Sequence, residues 1–245
     1  MDGYQPDTYG ESFADVYDEW YADVSDVDAT VAGIAALADG PILELGIGTG
    51  RLALPLAALG HDVIGVDASP AMLARLQAKP GAEQVTVLEA DMAAPPVAAG
   101  TISVAFAAFN TFFNLTDAAA QEACAGNLAI ALRPDGHVVI EGFVPPEDGL
   151  TDGGVSVRDI TTDRAVLSAS THDAATQTIR GQHIDISADG ITMRPWMLRY
   201  LTPAQLDDMF TGAGFILERR MASWDGSPFD ASAEMHISVY RLPAA

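Results

Sequence analysis

Pro41–Arg51, PILELGIGTGR, is the stretch whose reading decides the fold. Pro41, Ile42, Leu43, Leu45 and Ile47 make a short, nearly continuous apolar run, the pattern of a central parallel strand covered on both faces. Gly46, Gly48 and Gly50 follow two apart. Glycines so placed can turn the chain sharply and, lacking Cβ, let a ligand lie against the backbone amides. The next segment, Arg51–Leu59, has helical apolar spacing and stops at Gly60, so the loop feeds a helix N-terminus. A strand, a ligand-cradling loop and a helix are expected in that order.

The spacing also restricts the ligand. A P-loop ends in Gly-Lys-Ser/Thr, whereas Gly50 is followed by Arg51 and Leu52. A dinucleotide fingerprint reads G-x-G-x-x-G, whereas this loop reads G-x-G-x-G with Glu44 two residues ahead of it, a poor neighbour for a pyrophosphate. The apolar run Asp62–Asp67 ends in a carboxylate 21 positions after Gly46, where it can accept hydrogen bonds from both ribose hydroxyls. A nucleoside without phosphates is the expected ligand, held by Gly46, Gly48, Gly50 and Asp67.

With Glu44–Gly50 (ELGIGTG), Gly65–Ser69 (GVDAS) and Glu89–Met92 (EADM) in view, the chain resembles the class I S-adenosylmethionine-dependent methyltransferases in their motifs I, II and III. The likeness continues through AAFNTFFNL (107–115), LRPDGHVVIE (132–141), RYLTPAQLDDM (199–209), SPFD (227–230) and ISVYR (237–241), as in a subgroup common among high-GC bacteria. It implies a doubly wound, Rossmann-like α/β fold, with a seven-stranded sheet whose last strand lies antiparallel beside its predecessor. It also implies a small antiparallel β insertion before the last helix. Residues 1–148 and 201–245 would form the cofactor domain, 1–30 a helical lid over it, and 149–200 the insertion that roofs the acceptor pocket. The implied cofactor is S-adenosylmethionine. Glu44 and Ala68 join the loop and Asp67 in the implied cofactor set, with Asp91 beside the adenine amino group and Met92 on the ring face. Tyr9 and Tyr17 are implied near the methyl group.

Length and composition narrow the class. The chain has 245 residues, 49% hydrophobic, enough for one α/β domain with an insertion. No uninterrupted apolar run is long enough to span a membrane, and the N-terminal MDGYQPDTYGES has neither the basic nor the apolar region of a signal peptide. Cys124 is the single cysteine, which excludes an internal disulfide or a thiolate zinc site and agrees with a reducing cytoplasm. A formal charge of −22 with one lysine, Lys79, speaks against nucleic acid, whose phosphates are met by Lys and Arg. Surplus acid confers solubility, and the same field favours a cationic ligand.

Along the chain, Tyr9, Phe13, Val16, Tyr17, Trp20, Tyr21 and Val24 recur at offsets of three and four, an aromatic helix face that either packs on the domain or closes over a ligand. Ser69-Pro70, Thr116-Asp117 and Thr202-Pro203 mark helix starts, and Arg133–Gly136 a turn before a strand His137–Phe143. The strand 101–110 ends in FNTFFN, at the carboxyl edge where doubly wound sheets gather chemistry. This end should face the sulfonium, which puts Phe109 and Asn110 in the expected cofactor set; Asn110 could also hold a polar acceptor group, and Phe109, Phe112 or Phe113 could exclude water. From about Gly149 to Tyr200 the pattern alternates as an antiparallel meander with an edge that could pair. Thr192, Arg194, Trp196, Leu198 and Tyr200 share one face, and which face points inward is open. Phe113, Arg194 and Trp196 are the acceptor-pocket candidates.

Methyl transfer from a sulfonium needs alignment and exclusion of water more than covalent help, so no catalytic constellation is required. The five histidines have no metal-ligand spacing, and no G-x-S-x-G elbow occurs. If the acceptor is a hydroxyl, His183 and Glu141 are the candidate bases. The expected function is transfer of a methyl group to N or O of a small molecule by a monomer or homodimer, with no nucleic-acid or membrane partner. A non-catalytic protein that keeps the fold as a ligand-binding or partner subunit is the alternative, and a nicotinamide oxidoreductase a weaker one.

Overall fold

The computed structural model describes residues 1–22, 24–146 and 149–244. Strands β1 (Ile42–Leu45), β2 (Val63–Asp67), β3 (Val85–Glu89), β4 (Ile102–Ala107), β5 (Leu132–Phe143), β10 (Ile216–Met221) and β11 (Met235–Arg241) form a seven-stranded sheet in the order β10-β11-β5-β4-β1-β2-β3. The pairs among β1 to β5 are parallel, and β11 runs antiparallel to both β5 and β10. This is the strand arrangement the resemblance implied. β1 and β4 are buried along their whole length, as an apolar run flanked by helices on both faces requires. From β1 the chain winds outward through β2 and β3, then returns to place β4 on the other side of β1, so the order reverses at the carboxyl ends of β1 and β4.

Each face carries its own apolar layer. On one, Ile34 of α3 (Val27–Ala35), Leu56 of α4 (Ala53–Ala58) and Leu76 of α5 (Pro70–Gln77) pack on Ile42, Val63 and Val104. On the other, Cys124 and Leu128 of α6 (Ala118–Ala131) and Phe210 of α7 (Pro203–Gly212) pack on Leu43, Ala105 and Ile140. The helices begin where side chains can take up orphan amides: Ser69 accepts from Met72 N, Asp117 from Ala120 N, and Thr202 with Gln205 closes a capping box.

Two segments differ from expectation. Arg133–Gly136 does not stand outside the strand: β5 starts at Leu132 and absorbs it as an irregularity, with Asp135 at φ 61° and a register shift against β4 between Ile102 and Val104. The reason is pairing across the segment, since Asp135 N–H donates to Leu242 O and Leu242 N–H to Gly136 O. The aromatic N-terminal segment is two short helices, α1 (Thr8–Phe13) and α2 (Tyr17–Trp20), whose break lets the chain follow the rim of a cavity. The meander β6 (Gly153–Ile160), β7 (Arg164–Asp173), β8 (Thr178–Ser187) and β9 (Gly190–Arg199) is a separate four-stranded antiparallel sheet, and the expected boundary at 148 lies outside the described residues. No described helix is long and apolar enough to cross a membrane.

Candidate cofactor and acceptor site

The glycine loop leaves β1 at a point where a side chain cannot stand. Gly46 has φ 65°, and a Cβ there would fall 2.5 Å from Thr111 Cγ2, which approaches from the end of β4. The loop then folds onto the neighbouring strand: Gly48 N–H donates to Asp67 Oδ2 at 2.8 Å, and Ser69 N–H to Asp67 Oδ1 at 2.9 Å. Each carboxylate oxygen keeps an unused lone pair. Burial raises the Asp67 pKa, opposed by the amides of Ser69, Gly48 and Ala68.

A cavity of about 460 Å³ opens over this loop, within the usual range of small-molecule sites. Gly46, Gly48, Asp67 and Ala68 line one side, Asp91 and Met92 a second, and Phe109 and Asn110 the end of β4. Phe109 (φ 47°) and Asn110 (φ 63°) are consecutive left-handed residues that are not glycine. Such backbone persists only where its surroundings over-determine it. Here Glu141 Oε2 accepts Phe109 N–H at 2.8 Å, and Asn110 Oδ1 accepts Phe143 N–H at 2.8 Å. Glu141 is therefore not a base facing the cavity: it lies outside the lining, holds the backbone beneath, and has its pKa raised chiefly by burial. Phe113 is fully buried against Phe143, ring centroids 5.5 Å apart, and lies outside the lining as well.

Carboxylates fasten the N-terminal helical segment to both the cofactor domain and the sheet above it, Glu19 pairing with Arg164 at 3.4 Å. Glu11 Oε1 accepts from Ser69 Oγ at 2.8 Å and Ala71 N–H at 2.9 Å, capping α5 from outside. Gly10 allows this closeness, for a Cβ there would sit 2.3 Å from Ser69 Cβ. Asp15 holds the Arg194 guanidinium of β9 at 2.5 and 2.8 Å, so Arg194, expected in the acceptor pocket, is turned away from it onto the lid. Asp18 Oδ1 accepts from Thr49 Oγ1 at 2.5 Å while its Oδ2 pairs with Lys79 Nζ at 2.8 Å, and Lys79 Nζ also donates to Thr49 O at 2.9 Å. The chain's single lysine thus ties the lid to the glycine loop. Tyr9 and Tyr17 face the cavity. Burial pushes the Tyr17 phenol up to about 12 and that of Tyr9 well above its ordinary value, so both remain protonated donors at neutral pH.

The sheet β6–β9 covers the cavity with the face that carries His183 and Trp196, both in the lining. His183 lies among Phe13, Trp20 and Trp196, ring centroids 5.6 to 6.0 Å away, and its buried Nδ1 has no partner among the described residues. Burial, with Arg158 and Arg194 nearby, lowers its pKa to about 4 and leaves it neutral. Glu44 and Gly50 lie under the loop and not in the lining: Glu44 is buried with Oε2 unpartnered, and Gly50 faces Leu76. Tyr4, Tyr21, Thr111 and Asp117 line the cavity without having been singled out. Tyr21 belonged to the aromatic run and was within reach of sequence reasoning. Thr111 was not, because its place follows from the strained turn at Asn110.

Comparison with known proteins agrees with this geometry. A methyltransferase-domain family matches residues 42–136. The CcbJ methyltransferase structure from Streptomyces caelestis is 39% identical, with a TM-score of 0.91 over 98% of this chain and 100% of that one. The cypemycin N-terminal methyltransferase of a Streptomyces species is 28% identical over 96% of this chain and 98% of its own length. CalS10, an amino pentose methyltransferase from Micromonospora echinaspora solved with S-adenosylmethionine bound, shares the fold at 23% identity and a TM-score of 0.68, covering 91% of each chain. Against several other curated methyltransferases the match spans about half of the relative's length, 49%, 50% and 56%.

Proposed function

Because this chain belongs to the class I S-adenosylmethionine-dependent methyltransferases, we propose that it methylates N or O of a small-molecule acceptor, with an amine nitrogen as the favoured atom. The observation that carries the reading is the Asp67 carboxylate, fixed by the Gly48 and Ser69 amides at the edge of the cavity with lone pairs to spare. That arrangement suits a ribose diol. Asp91 and Met92 supply an acceptor and a polarizable face for adenine. The bound cofactor supplies an electrophilic methyl group on a cationic sulfur. The chain's own part is to align and to dry the site, with Tyr9 and Tyr17 above and Phe109 and Asn110 below.

Nitrogen is favoured by the state of the ionisable groups. His183, pushed down to about 4, is a weak base for a hydroxyl, and Glu141 is turned to backbone. An amine can shed its proton to solvent before it binds and needs neither. The relative named as an N-terminal methyltransferase supports the same atom. Mass spectrometry of products from methyl-labelled cofactor with a panel of amines, phenols and acids tests the acceptor, and labelling confined to phenols or acids would reverse the preference. Calorimetry tests the cofactor site. Asp67→Ala is expected to weaken S-adenosylmethionine binding by roughly 30-fold or more, the loss of charge-assisted hydrogen bonds, and unchanged affinity would remove the ribose assignment.

A further inference from the structure

The roof sheet has a second face. Six of the eleven exposed large apolar side chains among the described residues lie on it: Val155, Val157, Ile160, Ile186, Ile191 and Met193. The pairing registers arrange them in rows across all four strands. Ile160 faces Ala165, which faces Ile186, which faces Ile191. Val157, Leu167, Ile184 and Met193 make the next row, and a third runs from Val155 to Pro195. The register shift between Val157 and Asp159 keeps Ile160 on this face and turns Arg158 the other way, onto the Trp20 ring at 5.0 Å. No charged residue stands in the three rows, in a chain whose net charge is −22.

We propose that this face packs against the same face of a second copy of the chain, sheet on sheet, about a two-fold axis that crosses the strands. Twelve positions at ~4.8 Å between strands and ~6.8 Å along them tile roughly 400 Å². That is the apolar centre of a standard interface of ~800 Å² per partner, with the hairpin turns as its polar rim. The charges at the two ends choose the axis. One end carries exposed Arg180 and the Met1 ammonium, 3.8 Å from Met197 Sδ, against one exposed acid, Asp152, while Asp173 beside it is spent on the amides of Ala175 and Thr176. The other end carries the turn residues Asp163 and Asp189, both exposed. An axis across the strands sets the Arg180 end of each copy over the acidic end of the other, whereas an axis along the strands sets like over like. A second copy also meets the patch with no acid at its centre.

Analytical ultracentrifugation of the full chain tests this. The wild type is expected at twice 25.7 kDa in the micromolar range. Val157→Glu and Met193→Glu, on exposed positions that leave the cofactor domain intact, are expected to sediment as single chains with unchanged S-adenosylmethionine affinity and circular dichroism. Asp189→Arg is expected to weaken self-association by ~10-fold, as for a lost rim pair turned repulsive, and adding Arg180→Asp in the same chain to restore it. A wild type that sediments as one chain overturns the proposal and leaves the face to a different occupant. Glutamate variants that keep the doubled mass overturn it also, and a double charge swap that fails to restore association overturns the axis.

Discussion

Glu44 occupies a position where burial outweighs charge. Its carboxyl, beneath the glycine loop, is held at about 8, first by burial and then by Asp67, with Arg51 opposing. The folded chain therefore keeps a proton that the unfolded chain releases near the ordinary carboxylate value. This group's contribution to stability is complete below about pH 4.5 and disappears as pH rises through about 8. Thermal unfolding of wild type and Glu44→Gln is expected to diverge across that window, the wild type losing on the order of 5 kcal/mol relative to the variant. Parallel pH profiles would show that Glu44 is ionised in the fold. Glu44, Gly46, Gly48 and Asp67 were legible as one group because spacing along one strand-turn-helix unit is local, but that Glu44 lies beneath the loop and outside the cavity lining was not. Sequence could not place Arg194 or Glu141, whose partners Asp15 and Phe109 lie 179 and 32 positions away.

At the scale of elements, α1 and α2 have too few residues to be stable alone. Their position over the cavity depends on what they grip. The Asp18–Lys79–Thr49 cluster is the grip that reaches the glycine loop itself. Lys79→Ala is expected to raise the dissociation rate of S-adenosylmethionine by roughly 10-fold, about the worth of one charge-assisted contact, with Lys79→Arg restoring most of it. Stopped-flow fluorescence reads this directly through the lid tryptophan, Trp20. Equal dissociation rates in Lys79→Ala and wild type would mean that the lid is held by its aromatic contacts alone. The antiparallel meander was legible as alternation, and its strands fall within a few residues of expectation. Which face turned inward was not, since both faces are apolar enough to be buried.

Over the whole molecule, thirty-four acids against twelve bases repel one another in the compact state. Raising ionic strength from about 0.02 to 0.2 M shortens the screening length from roughly 20 to 7 Å. The melting temperature is expected to rise by several degrees, as scanning calorimetry would record. A fall would mean that attractive pairs such as Arg164–Asp185 and Arg220–Asp207 outweigh the net repulsion.

By itself the sequence determined the sheet's class, the glycine loop, the acid that ends the second strand and the existence of an inserted meander. Each of these is written in local periodicity and spacing, where a residue and its structural neighbour are a few positions apart. Only the tertiary structure decided that Arg194 fastens the lid and that His183 is neutral. It alone placed Glu141 beneath a strained turn and left one face of the roof bare. Burial and charge pairing between distant elements set these outcomes, and both depend on distances that exist only after the chain has folded.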